Sequence, residues 1–282
     1  MQVASEDIQA YELDLLTGVL RDRFGYDFRH YAHDSLLRRT LSAVDHFGVQ
    51  SMSELIPRVI HEPRFCHRLV GQLTVQVTEM FRDAKLFRCL REHIIARLQT
   101  WPYIKIWVAG CSTGEEVYSL AILLYEEGLL DRTRIFATDI NREALSIAEE
   151  GIYRLDDIEK YAANYRLAGG AGHFSNYYDT RYKLARMDST LRENIVFSHH
   201  NLAVDGVFSE TQLLLCCNVL IYFDRTLQNR VLRLFNESLS TSGILCLGNR
   251  ETLQFTELES SLAAIDQVAR VYQKLPQSEI IA

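Results

Sequence analysis

Apolar positions fall at helical spacing near the start of the chain. Over residues 8–24, Leu13, Leu16, Leu20 and Phe24 line up on one face and predict an amphipathic helix. HDSLLRRTLSAVDHFG repeats the pattern, with Gly48 as its stop. SMSELIPRVI opens on a capping box, Ser51 to Glu54, for a helix that Pro57 limits or kinks. PRFCHRLVGQLTV is helical again. Residues 1–75 are therefore expected to form a small helical domain.

After Trp101-Pro102 the texture changes. IKIWVAG (104–110) is a short β-branched apolar run and predicts a buried strand. A small-residue loop follows, then a helix with Val117, Leu120, Ala121 and Leu124 on one face. TRIFATDI (133–140) predicts a strand and NREALSIAEEG a helix ending at Gly151. TQLLLCCNVLIYF (211–223) reads as another buried strand, which Asn218 after LLLCC could also end, RTLQNRVLRLFNESL as a helix and GILCLGN (243–249) as a strand. This alternation predicts a parallel α/β sheet with ligands at the carboxyl ends of its strands. Residues 76–282 would form that domain. Within it, residues 152–198 are polar, rich in tyrosine and poorly periodic. They read as an insertion, either a small subdomain or a long ordered loop.

Composition narrows the function. The 282 residues carry a net charge of -7 and no basic stretch, which disfavours nucleic acid as a partner. No apolar run is long enough to span a bilayer, and the acidic, polar N-terminus does not read as a signal peptide. A cytoplasmic protein without membrane insertion is expected, and no heptad stripe argues against a monomer. The six cysteines form no C-x-x-C pair and the histidines no ligand helix, so neither a metal site nor a disulfide framework is expected.

The loop VAGCSTGEEVYSL (108–120) poses the chemical question. A P-loop needs a lysine where Glu115 stands, and Gly110 and Gly114 lie one residue too close. A dinucleotide loop needs other glycines, and an acidic first turn would repel a pyrophosphate. S-adenosylmethionine (SAM) has no phosphate and offers an ammonium and ribose hydroxyls to a carboxylate. Asp139, at the end of the second strand, stands where an acidic residue commonly holds ribose. The residues alone leave a plainer reading open, in which Glu115 and Glu116 favour the helix dipole and Asp139 caps a helix.

Five segments in register decide more than the loop does. VTEMFRD (77–83), AGCSTGEEVYSLAILL, ATDI, HNL (200–202) and CCNVLIYFD (216–224) resemble the CheR family, the bacterial chemotaxis receptor methyltransferases. The likeness extends to FGYDFRHYAHDSLLRRT and GILCLGNRETL and so covers nearly the whole chain. It implies a Rossmann-like SAM-dependent methyltransferase sheet, a helical N-terminal domain and a small inserted antiparallel β subdomain. It implies methyl transfer from SAM to glutamates on the cytoplasmic domains of chemoreceptors, leaving S-adenosylhomocysteine. Arg82 and Tyr222 then stand in catalytic positions. Gln76, Thr78, Arg82, Gly110, Glu116, Asp139, Asn201, Leu202, Asn218 and Val219 stand in cofactor positions. The resemblance favours Glu116 over Glu115, which the residues alone do not separate.

The chain also departs from the family pattern. Cys217 replaces the arginine of C-R-N-V-L-I-Y-F, Met80 a phenylalanine, Gln76 an asparagine, and Asn249-Arg250 a His-Ser pair. Cys217 keeps a second reading in play, a SAM- or receptor-binding regulator with weak or no catalysis. A methyltransferase acting on a small molecule or RNA is a third. Among the N-terminal arginines, Arg38 and Arg39 are those expected to meet an acidic receptor helix.

Overall fold

The computed structural model describes residues 5–276. Four helices come first: α1 (Ser5–Phe24), α2 (His33–Phe47), α3 (Leu55–His61) and α4 (Pro63–Leu73). Their apolar stripes, Leu13, Leu16 and Leu20 with Leu36, Phe65 and Leu69, close over one core. Pro57 sits in the first turn of α3, where a missing N–H breaks no helical bond. The expected capping box does not form. Ser51 caps nothing with its side chain, residues Met52–Glu54 make a 3₁₀ turn, and Glu54 accepts from the Gln50 N–H instead (3.3 Å).

The second part carries a seven-stranded sheet flanked by helices. Its elements are α5 (Ala84–Cys89), α6 (Ile95–Leu98), β1 (Ile104–Ala109), α7 (Glu115–Glu126), β2 (Thr133–Asp139), α8 (Arg142–Glu150), β3 (Ile152–Arg154) and α9 (Leu155–Leu167). There follow β4 (Tyr178–Arg181), β5 (Leu184–Met187), α10 (Ser189–Arg192), β6 (Ile195–His199), β7 (Thr211–Cys216), α11 (Arg225–Ser238), β8 (Leu239–Leu247), β9 (Leu262–Asp266) and β10 (Val271–Lys274). The order is β6-β2-β1-β7-β8-β10-β9. The first five run parallel, and β10 and β9 add an antiparallel hairpin at one edge. The chain leaves β1 toward β2 on one side and returns to β7 on the other. The gap between β1 and β7 is thus the switch point at which ligands bind in such sheets.

Three features differ from the sequence expectation. The run 211–223 is not one strand. β7 ends at Cys216, and Leu220–Tyr222 form a 3₁₀ turn. Asn218 takes a left-handed φ of 61°, and the Glu251 carboxylate collects the N–H groups of Asn218, Val219 and Leu220 that a strand would have paired elsewhere. Residues 152–198 hold the expected small antiparallel sheet, β3-β5-β4, but also the helix α9, which their poor periodicity did not announce. β6, also within that stretch, pairs with β2 as the edge of the main sheet. Finally, α7 buries more than one face: every residue from Val117 to Leu124 is buried. Its C-terminal end meets α9 and the turn before β4: Tyr165 of α9 and Tyr177 of that turn both donate to Glu126.

Candidate active site

A cleft of about 370 Å³ opens at the switch point. Two loops meet there. The loop after β1 turns at Gly110 (φ 75°), where a Cβ would stand 2.3 Å from Val219 Cγ2 of the loop after β7. Only glycine allows that approach. The second loop is shaped by Glu251, which is buried and accepts four backbone N–H bonds. Val219 and Leu220 donate to Oε1 (2.8 and 2.7 Å), Gly248 and Asn218 to Oε2 (2.6 and 3.2 Å). A carboxylate fed by four donors fixes the positions of Asn218 and Val219 in the cleft.

The third wall is the segment between α4 and α5, which carries Thr78 and Arg82. It is irregular, and Thr78 caps no helix; Asp83 caps α5 by accepting from the Leu86 N–H (3.2 Å). Phe81 anchors the segment. It has φ 53°, its N–H donates to Ser119 Oγ on α7 (2.8 Å), and its buried ring packs on Phe87 and Tyr165. Arg82 next to it is exposed and donates to the Val77 carbonyl (2.8 Å).

Three carboxylates line the cleft: Asp83, already engaged as the cap of α5, Asp139 and Glu116. Asp139 accepts from the Ser112 and Asn141 N–H groups (both 2.8 Å), and burial raises its pKa against those two bonds. It caps no helix, because Asn141 caps α8. Glu116 lines the cleft whereas Glu115 does not: Glu115 accepts from Thr113 Oγ1 (2.7 Å) and turns toward Tyr161. Burial pushes the Glu116 carboxyl up to about 7. The hydrogen bond from the Cys217 thiol beside it is the main opposing influence; the Glu251 and Asp83 carboxylates raise it further, and Arg82 lowers it. Burial and the neighbouring Glu116 in turn hold the Cys217 thiol well above its ordinary value, so this sulfur is a poor nucleophile.

Ten of the eleven candidate residues named from the sequence line this one cleft: Thr78, Arg82, Gly110, Glu116, Asp139, Asn201, Leu202, Asn218, Val219 and Tyr222. Gln76 does not. Its amide donates to Thr74 Oγ1 (3.4 Å). Asn201 has a structural task as well, since its amide donates to the Gly25 carbonyl (3.3 Å) and accepts from the Ala203 N–H (3.0 Å).

The helical domain supplies two wall residues: Tyr31, which sequence reasoning missed, and Arg39, which it expected at a receptor helix and not in the cleft wall. Residues 30–32 pair antiparallel with 222–224. Ala32 N–H donates to the Tyr222 carbonyl and Asp224 N–H to the His30 carbonyl (both 2.8 Å). Nothing local in the sequence marks this pairing.

The donor set suits SAM. The carboxylates Glu116 and Asp139 match a cationic amino-acid end and ribose hydroxyls, and Ser112 Oγ is a buried hydroxyl without a partner beside them. Arg82 and Arg250 line the cleft as exposed side chains and Arg39 as a half-buried one, so the cleft carries both signs of charge, with Arg82 and Arg250 toward solvent. Among the described residues no cluster of His, Cys, Asp and Glu is placed to hold a metal, and no helix is long and apolar enough to cross a membrane.

Comparison with known proteins bears on the same cleft. The family described as CheR methyltransferase, SAM binding domain, matches residues 76–268, and CheR methyltransferase, all-alpha domain, matches residues 11–74. A putative methyltransferase Cher3 of Pseudomonas putida is 47% identical over 272 residues, which cover 96% of this chain and 100% of that one. The chemotaxis protein methyltransferases of Salmonella typhimurium and Escherichia coli are 35% and 32% identical over 198 residues, covering 68% of this chain and 66% of theirs.

Proposed function

The chain belongs to the CheR methyltransferase family and takes SAM as its cofactor, and on that premise we propose that it esterifies glutamate side chains on the cytoplasmic domains of bacterial chemoreceptors. The observation that carries this reading is the charge layout of the cleft: the carboxylates Glu116 and Asp139 beside the loops after β1 and β2, and three guanidiniums, half-buried Arg39 and exposed Arg82 and Arg250, around them. A cationic donor fits the carboxylates and an anionic acceptor the guanidiniums. The exposed Arg38 on α2 extends the positive rim toward an acidic helix.

The cofactor supplies an electrophilic methyl on a sulfonium. A glutamate acceptor is ionised at neutral pH (pKa about 4.3), so no protein group need act as a general base. The work left to the chain is alignment and the exclusion of water. Glu116 and Asp139 hold the donor end, with Ser112 N–H keeping the Asp139 carboxylate in place. Asn201, Leu202, Asn218 and Val219 flank the remainder. Arg82, tethered to the Val77 carbonyl, steers the acceptor carboxylate; a tighter grip would quench its nucleophilicity. Tyr222 faces the reacting groups and orients them.

Cys217 favours a second reading, a regulator that binds SAM or receptor with little transfer, because it puts a neutral thiol beside Glu116. One assay separates the two. Radiolabelled SAM is incubated with the protein and a panel of chemoreceptor cytoplasmic fragments, and the label is tested for release by mild base. Alkali-labile label on receptor supports the esterifying enzyme. Binding of S-adenosylhomocysteine without label, with transfer appearing in Cys217→Arg, supports the regulator.

A further inference from the structure

Tyr222 does not stand in the cleft unaided. The Arg39 guanidinium lies over its ring, with Cζ 4.5 Å from the centroid. That guanidinium is itself fixed: one terminal nitrogen donates to the Leu73 carbonyl (2.9 Å), the other to Ser35 Oγ (3.1 Å). It forms no ion pair within 4.0 Å among the described residues. Arg39 is half-buried and lines the same cleft as Tyr222, although it comes from the helical domain. The Tyr222 carbonyl is also pinned, by the Ala32 N–H of the helical domain (2.8 Å). The ring and the backbone of Tyr222 are therefore both held by the helical domain.

We propose that Arg39 is a positioning residue for methyl transfer, a cationic plate against which the Tyr222 ring is held at the reacting centre. The inference rests on the reading of Tyr222 given above. A guanidinium over an aromatic face is attractive, more so where water is partly excluded. Its planar fork also leaves the stacked face free while its edge bonds the Leu73 carbonyl and Ser35, which an ammonium cannot do. Displacement of a positioning group by about 1 Å can cost on the order of a hundredfold in rate. Loss of the plate is therefore expected to act on kcat, not on acceptor binding.

The test is a double-mutant cycle on the full chain. Arg39→Met keeps the apolar stem and removes the plate; Tyr222→Leu removes the ring. Each is expected to lower kcat about tenfold or more, with KM for the receptor fragment and affinity for S-adenosylhomocysteine within about twofold. The double variant should be no slower than Tyr222→Leu alone, because Arg39 acts through the ring. Arg39→Lys should recover only part of the loss. Multiplicative losses, or a rise in receptor KM at unchanged kcat, would overturn the proposal and make Arg39 an acceptor contact. A second measurement does not depend on finding the acceptor. With 3-fluorotyrosine incorporated and the Tyr222 signal assigned by its absence in Tyr222→Leu, Arg39→Met and Arg39→Lys should shift and broaden that resonance in the S-adenosylhomocysteine complex. An unchanged resonance in both variants refutes the positioning role even if no fragment is methylated, whereas a moved resonance without transfer leaves it standing and counts against the receptor reading alone. If Arg39→Met melts early, the Lys variant carries both experiments.

Discussion

Glu116 should make cofactor binding depend on pH within the neutral range. Burial pushes its carboxyl from an ordinary 4.5 up to about 7, and only Arg82 among its charged neighbours opposes this. The sign comes from linkage. A carboxyl raised in the folded state favours the neutral form, so its contribution to stability is complete below about 4.5 and is lost as pH rises through about 7. At about 1.4 kcal/mol per tenfold, that loss in the free protein is at most about 3 kcal/mol. A cationic cofactor reverses the preference, since it needs the ionised form. With a free-state value of about 7, the ionised fraction falls about eightfold between about pH 7.5 and about pH 6.0. Calorimetric titration with SAM should show an affinity drop of about that size, with close to one proton released per site at the lower pH. Glu116→Gln should bind more weakly at the higher pH and lose the slope. Cys217→Arg sets a cation beside Glu116, returns it toward the ordinary carboxylate range and should flatten the slope while keeping affinity. If wild type and Glu116→Gln lose affinity in parallel, the group responsible is elsewhere and the reasoning fails.

Other perturbations test other parts of the cleft. Arg82→Ala should lower turnover of a receptor fragment at least about tenfold while S-adenosylhomocysteine affinity moves less than about threefold; equal turnover removes the steering role. Gly110→Ala drives a methyl to 2.3 Å from Val219 Cγ2 at a φ that disfavours side chains, so S-adenosylhomocysteine binding should be largely lost, with about 1–3 kcal/mol of stability lost in thermal unfolding. Glu251→Gln cannot serve donors on both sides with one carbonyl. It should cost about 2–4 kcal/mol, read as a fall in Tm of roughly 5–15 °C, whereas an unshifted Tm would mean that the four N–H groups find water instead.

How much of this could be read from the chain differs from element to element. β1 and β2 stand where their apolar runs placed them: β1 is buried at all but one position and β2 alternates buried and half-buried residues, both patterns that composition announces. The end of β7 was hidden but for Asn218. LLLCCNVLIYF stays apolar past Cys216, and what stops the strand is a carboxylate more than thirty residues further on. α9 was hidden for another reason: its buried residues are Ile158, Tyr161 and Tyr165, and tyrosines that anchor by hydroxyl weaken the apolar signal. The candidate residues were legible as motifs, yet their convergence was not, since Thr78 and Asn218 owe their places to contacts made by Phe81 and Glu251. Arg39 could be suspected as a charge near an acceptor, but its seat against Tyr222 depends on how two domains dock.

That docking is held at residues 30–32 and 222–224 by peptide groups, with the His30 Nδ1 to Asp224 Oδ2 hydrogen bond at 2.8 Å and the Tyr31 ring against Phe223 alongside. Peptide groups are common to every residue but proline. The seam can therefore outlast wide drift in the residues that form it. A pairwise comparison of letters will underrate how faithfully two relatives share it, whereas proline at position 32, which removes the donor to Tyr222, should unfasten it at once.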